Sequence, residues 1–235
     1  MSPMELFECL LESYGPRGWW PLVSRAGQDG RDDEGYLPGC SAPSDRGCAF
    51  EIAVGAVLTQ NTAWTSAERA VKRLFDADLL TPRKILSTRP EDLAALIRPA
   101  GCYNVKTRKL YELSKFFQGL PVEGPGFGIP ARECLLAVWG IGPETADSIL
   151  LYAFGIPGFV VDEYSRRIFR RLGMSVPLDS YDGLKTSIER EIPFEWTICA
   201  EYHALLVEHA KAFCRKSPSC SACMIRASCE YRLSY

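Results

Sequence analysis

Leu135-Leu136-Ala137-Val138-Trp139-Gly140-Ile141-Gly142-Pro143-Glu144-Thr145-Ala146 is an apolar helical run broken by a Gly-Ile-Gly turn and restarted by a proline. The apolar character continues to about Phe154, a turn spans Gly155 to Gly158, and the stretch closes on Val160-Val161-Asp162. Glycine tolerates backbone angles closed to other residues and proline suits the first position of a helix, so the spacing predicts helix, hairpin and helix. The first N-H groups of the second helix have no partner within it. Presented on one loop, they suit a phosphate. A Gly-x-Gly before a helix is equally what a tight turn between two core helices looks like.

Working outward, the chain has 235 residues, 47% of them apolar, and a formal charge of -2, which predicts a globular protein with one large core or two smaller ones. No apolar run reaches membrane-spanning length and the N-terminus lacks the form of a secretory signal, so a cytoplasmic protein without membrane association is expected. The weak net acidity argues mildly against nucleic acid, but the basic residues are gathered. They cluster at Lys106, Arg108 and Lys109, at Arg166, Arg167, Arg170 and Arg171, and at Lys211, Arg215 and Lys216. Each cluster is compatible with DNA or with a solvated helix face.

Ser2-Pro3-Met4-Glu5 has the form of a capping box, followed by an apolar face at Leu6, Phe7, Leu10, Leu11 and Tyr14. Trp19-Trp20-Pro21 follows, and then Gly27 to Gly47, which has no periodicity and is expected to be a long surface loop. Phe50 to Leu58 is apolar throughout, and its length alone fits strand or helix. Gln60-Asn61-Thr62 breaks that run, and Thr88-Arg89-Pro90-Glu91 repeats the capping-box form. Short helices are expected through Phe117, a linker from Gly119 to Pro130, and further helices near 163–172, 183–191 and 195–213. No segment alternates at period two, so the expected class is all-α.

Cys214, Cys220, Cys223 and Cys229 are spaced x5, x2 and x5, a pattern able to close around one soft metal centre. A tetrahedral zinc and a [4Fe-4S] cluster both take four cysteines, and spacing does not choose between them. The remaining cysteines are expected to pack as small apolar residues.

The hairpin, Thr145-Ala146 behind it and Asp162 beyond it together resemble the helix-hairpin-helix, Gly/Pro-rich loop and aspartate motif of the endonuclease III superfamily of DNA glycosylases. The resemblance covers most of the chain but not Gly27 to Gly47. It implies a two-lobed helical fold around a DNA-facing cleft, with residues 48–156 as a six-helix lobe and 1–47 joining 157–235 in the other. It makes Phe50 to Leu58 a helix. It implies that Gly140, Ile141, Gly142 and Thr145 grip the strand, and that Gln60 fills the stack vacated by an extruded nucleotide. Cys220 to Tyr231 resembles that superfamily's C-terminal cluster loop, implying a [4Fe-4S] cluster on Cys214, Cys220, Cys223 and Cys229, although the first gap is five residues against the family's six. The implied partner is double-stranded damaged DNA, met by a monomer associated with the nucleoid.

Asp162 then has two compatible roles. It reads as the N-cap of a helix beginning at Glu163, and the resemblance makes it the carboxylate that serves chemistry at the sugar. Where bifunctional members carry a lysine that attacks the sugar, this chain has Glu144, and a carboxylate forms no imine, so a glycosylase without AP-lyase activity is expected. Lys106 remains as a relocated amine. Trp19, Trp20, Pro21 and Phe50, with Glu144 and Gly55 to Thr62, resemble the 3-methyladenine DNA glycosylase III family, in which the aromatic residues wall a pocket for an alkylated base. Aromatic pairs are also ordinary core material. The expected activity is base excision of alkylated purines such as 3-methyladenine, with oxidised-pyrimidine or mismatch removal, or DNA binding without catalysis, as the alternatives.

Overall fold

The computed structural model describes residues 1–39, 45–123 and 126–231. Positions 40–44 of the Gly27 to Gly47 stretch and 124–125 of the linker lie outside them. Eleven α-helices are formed among the described residues: α1 (Pro3–Tyr14), α2 (Arg46–Leu58), α3 (Trp64–Asp76), α4 (Pro82–Ser87), α5 (Pro90–Leu96), α6 (Tyr103–Gly119), α7 (Arg132–Leu136), α8 (Pro143–Phe154), α9 (Glu163–Leu172), α10 (Tyr181–Glu189) and α11 (Trp196–Ala212). The fold is all-α. A two-residue ladder in the linker, β1 (Val122–Glu123) against antiparallel β2 (Gly126–Phe127), is too small to change that class. No helix of the described residues is long and apolar enough to cross a membrane.

The chain divides into two compact units, Trp20–Gly155 and Met1–Trp19 with Ile156–Tyr235. In the first, α2 is buried on every side from Cys48 to Leu58 and packs against α3, α6 and α8. A helix apolar all round can only be central. α3 turns Ala67, Ala70, Val71 and Leu74 inward, and α6 turns Leu110, Leu113 and Phe117 inward. Full burial of such a side chain contributes roughly 1.5–3 kcal/mol for the large aliphatic and aromatic ones.

The N-terminal division differs from the expected one, because residues 20–39 pack with this unit. The Leu22 N-H donates to the Gly35 carbonyl at 3.1 Å, and the Ser24 N-H donates to Glu51 Oε1 on α2 at 3.1 Å. Gly35 has φ +89° and lies so close to the Leu22 backbone that a Cβ there would stand 2.3 Å from its carbonyl oxygen. Local turns hold the rest, with Gly27 N-H on the Asp32 carbonyl and Arg31 Nη1 on the Gly35 carbonyl.

In the second unit α11 is the buried element, contacting α1 and α9. Tyr202 of α11 is enclosed by Phe7 at 5.4 Å, Phe159 at 5.5 Å and Phe169 at 6.5 Å between ring centres. The Ser2 capping box forms as expected, with Ser2 Oγ accepting from the Glu5 N-H and Glu5 Oε2 accepting from the Ser2 N-H. The box at Thr88 does not. Thr88 Oγ1 donates back to the Lys84 carbonyl at 2.8 Å, and Arg89 becomes the N-cap of α5 without a side-chain bond to the helix's first N-H groups.

Candidate functional site

The hairpin is built from the short α7, a turn and α8. Gly140 adopts φ +87°, and a Cβ on it would stand 2.7 Å from Lys109 Cγ, so both conformation and space require glycine. Ile141 is buried and its N-H donates to the Val138 carbonyl, which makes it the turn's internal anchor. Gly142 is the N-cap of α8 and no side chain caps that helix. Glu144 is exposed and Thr145 is buried.

Gln60 is tied directly to this turn. Its Nε2 donates to the Gly140 carbonyl at 3.1 Å and to Thr145 Oγ1 at 2.8 Å, and its Oε1 accepts from Lys109 Nζ. Trp139, largely exposed, carries the Arg108 guanidinium 3.8 Å over its ring. The basic group read from sequence is therefore split in function. Arg108 and Lys109 attend the hairpin, whereas Lys106 is buried, its ammonium donating to the Leu58 and Ala100 carbonyls at 2.8 Å each. A group so engaged caps the ends of two helical segments.

Asp162 is buried as the N-cap of α9. Oδ1 accepts from the Ser165 N-H at 2.7 Å, and the Asp162 N-H donates to Ser165 Oγ at 2.9 Å. His203 Nε2 of α11 lies 3.6 Å from Oδ2. Burial on its own would raise the carboxyl's pKa, but the hydrogen bond and charge of His203, with the Ser165 bonds, outweigh it and hold the group below the usual value. In sequence His203 is one of two histidines on an apolar helix, with nothing to distinguish it from an ordinary core residue.

Trp19 shares this unit. Its ring meets His203 edge-on at 5.8 Å between centres, and Lys211 Nζ stands 5.6 Å from its centre. Trp20 belongs to the other unit. It packs edge-on to Trp64 at 5.3 Å and against Tyr152 at 5.3 Å, lying over Gly55, where a Cβ would meet Trp20 Nε1 at 3.1 Å. Pro21 is buried. Phe50 has no exposed surface and meets Phe117 edge-on at 5.3 Å between ring centres, beside a cavity of about 330 Å³ lined also by Arg46, Leu80 and Arg83. Phe50 and Gly55 are five positions apart on α2, roughly 140° around a helix, so Phe50 and Trp20 serve different sides of α2.

The four C-terminal cysteines line one cavity with Ile168, Leu172, Phe213 and Ile225. Arg171 of α9 clamps the loop. It donates to Cys214 Sγ at 3.2 Å, to the Arg215 carbonyl at 2.7 Å and to the Lys216 carbonyl at 3.0 Å, and covers the Tyr231 ring at 4.6 Å. Its own carbonyl accepts from Cys229 Sγ at 3.2 Å, and Arg167 Nε donates to the Cys214 carbonyl. Gly173 has φ +75°, and a Cβ would collide with the Glu230 carboxylate, which seats the trailing Glu230-Tyr231 against the end of α9. Cys223 faces His209 Nε2 at 3.6 Å, and burial with charge on the other three cysteines pushes its thiol up. Four cysteines around one cavity are suited to a cationic centre, which offsets the cost of ionising Cys223. Among the described residues no three Cys, His, Asp or Glu side chains converge on a single ion. Four cysteine thiols about one cavity are the donor set that a [4Fe-4S] cluster takes.

Against known proteins, residues 54–194 match the family model described as HhH-GPD superfamily base excision DNA repair protein. A Methanocaldococcus jannaschii protein named, provisionally, a DNA repair glycosylase is 39% identical over 96% of this chain and 94% of its own length. The endonuclease III of Thermotoga maritima is 30% identical over 77% of this chain and 83% of its length. Among solved structures, a trapped endonuclease III-DNA covalent intermediate superposes with TM-score 0.73 at 22% identity, covering 100% of this chain and 98% of that one, a likeness of fold. The H. pylori 3-methyladenine DNA glycosylase bound to 1,N6-ethenoadenine superposes with TM-score 0.69 at 27% identity, covering 90% of this chain and 98% of that one.

Proposed function

This chain belongs to the HhH-GPD superfamily and is a DNA glycosylase of base-excision repair, and from that footing we propose that it hydrolyses the glycosidic bond of alkylated purines without AP-lyase chemistry. It acts in this reading as a monomer on double-stranded damaged DNA, with Gly140, Gly142 and Thr145 on the strand and Gln60 braced behind them.

The state of Asp162 carries the proposal. Loss of a purine builds positive charge on the deoxyribose, and a fixed carboxylate stabilises that charge most when it is already ionised and shielded from water. Asp162 is buried and held below the ordinary carboxylate range. A weak base of this kind is better suited to electrostatic stabilisation and to orienting water than to early proton abstraction. Water adds to the sugar carbon as the base departs, and its proton passes to the carboxylate. Glu144 at the hairpin offers no amine for a covalent route, and Lys106 is engaged by two carbonyls.

Cys214, Cys220, Cys223 and Cys229 would hold a [4Fe-4S] cluster. Such a cluster supplies a loop-ordering crosslink and a one-electron redox centre when bound. Arg171 and Arg167 position the loop that carries it.

A second reading, removal of oxidised pyrimidines with strand cleavage, is favoured by the endonuclease III relative. Chromatography of bases released from duplexes bearing 3-methyladenine, 7-methylguanine, 1,N6-ethenoadenine or an oxidised pyrimidine separates the two. Release of alkylpurines without a borohydride-trapped adduct is expected, and an adduct with release confined to the oxidised pyrimidine would overturn the reading.

A further inference from the structure

Lys211 lies in the last turn of α11, on the helix that also carries His203. Its ammonium stands 5.6 Å from the centre of the Trp19 ring, within range of attraction by the indole quadrupole. Among the described residues the ammonium makes no hydrogen bond or ion pair. The residue is exposed, yet partial desolvation lowers its pKa, opposed by the carboxylates of Glu208 and Asp162, with Arg17 adding to the lowering. A charged group that keeps its donors free beside an aromatic wall is poised to act on whatever shares that wall.

An alkylated purine comes in two electrostatic forms. N3- and N7-methylpurines attached to deoxyribose are cations, whereas a purine bearing a fused etheno ring is uncharged and presents ring nitrogens as acceptors. A cation seeking the face of Trp19 competes with Lys211 for the same quadrupole and is repelled by it at close range. An uncharged base suffers neither penalty and can accept a hydrogen bond from Nζ.

We infer that Lys211 selects by charge, disfavouring cationic alkylpurines at Trp19 and favouring uncharged ones. This deepens the proposed function and rests on Trp19 meeting the extruded base. Lys211 is thereby a specificity-determining residue, and its charge, not its packing, is what discriminates.

The test compares the full-length wild-type protein with Lys211→Met and Lys211→Arg. Equilibrium binding is measured to duplexes carrying 2'-fluoro-7-methylguanine or 2'-fluoro-1,N6-ethenoadenine, which report affinity without turnover, and single-turnover release is measured on the corresponding 2'-deoxy duplexes. Lys211→Met is expected to shift the affinity ratio about tenfold toward the cationic base, the scale of one cation-π contact. Lys211→Arg should keep the wild-type ratio. An unchanged ratio in Lys211→Met, or an equal shift in Lys211→Arg, overturns the inference. A shifted ratio without base release in the wild type sinks the proposed hydrolysis and leaves charge selection standing.

Discussion

His203 Nε2 lies 3.6 Å from Asp162 Oδ2, and this contact, with the Ser165 bonds, holds a buried carboxylate in its charged form. The Asp162 pKa is depressed in the folded state. Its contribution to stability is therefore present above the unfolded carboxylate value and is lost as pH falls through the lower folded one. His203→Gln removes the imidazole that lowers the Asp162 pKa, so the acid limb of the base-release profile should move to higher pH, and the rate at neutral pH should fall by about tenfold. A pH-rate series on one lesion duplex reads both. An acid limb that stays put in His203→Gln would mean the histidine does not support the carboxylate.

Gly140 is fixed by its positive φ and by Lys109 packed across it. Gly140→Ala should cost about 1–3 kcal/mol of stability and weaken binding to undamaged duplex. Thermal melting and fluorescence anisotropy check the two effects, and a stable variant with unaltered affinity would remove the hairpin from the DNA contact.

Arg132 Nε and Nη2 meet the buried Asp147 carboxylate at 2.8 and 3.0 Å, joining α7 to α8 across the hairpin. Arg132→Met takes this cation from the buried carboxylate, at a cost of about 3–5 kcal/mol. Denaturant unfolding followed by circular dichroism measures it, and a loss below about 1 kcal/mol, the scale of an exposed pair, would contradict the clamp.

Arg171 bridges Cys214 Sγ, two loop carbonyls and the Tyr231 ring. Arg171→Ala should lower the iron and acid-labile sulfide found per chain and leave α9 helical. Full iron loading in that variant would show that the cysteine loop orders itself without α9.

Local features were the legible part of the sequence. The Ser2 capping box, the glycine turn and the Asp162 N-cap are written within a few residues, and backbone chemistry alone specifies them. The division at the N-terminus was not legible, because it depends on Glu51 accepting from Ser24 and on Gly35 closing over Leu22, contacts that no periodicity encodes. The Thr88 box failed for a competing local bond, since the hydroxyl found the Lys84 carbonyl first. At the candidate site, Asp162 was singled out from its motif and Lys211 only as one of a basic cluster, while His203 was not singled out. His203 and Lys211 both lie on α11, far along the chain, and reach Asp162 and Trp19 only through the packing of that helix within its unit. Gln60 was singled out for the DNA stack, while its bonds to Gly140 and Thr145 emerged only from the fold.

The most direct test of the account is single-turnover base release from an alkylpurine duplex by the wild type and by Asp162→Asn. Asparagine still accepts from the Ser165 N-H and so keeps α9 capped. The account predicts a folded protein of wild-type iron content, its melting lowered only by the lost contact between the carboxylate and His203, with release slowed by about 100-fold or more, the scale of a lost electrostatic stabiliser. An Asp162→Asn protein that releases the base at the wild-type rate would contradict it.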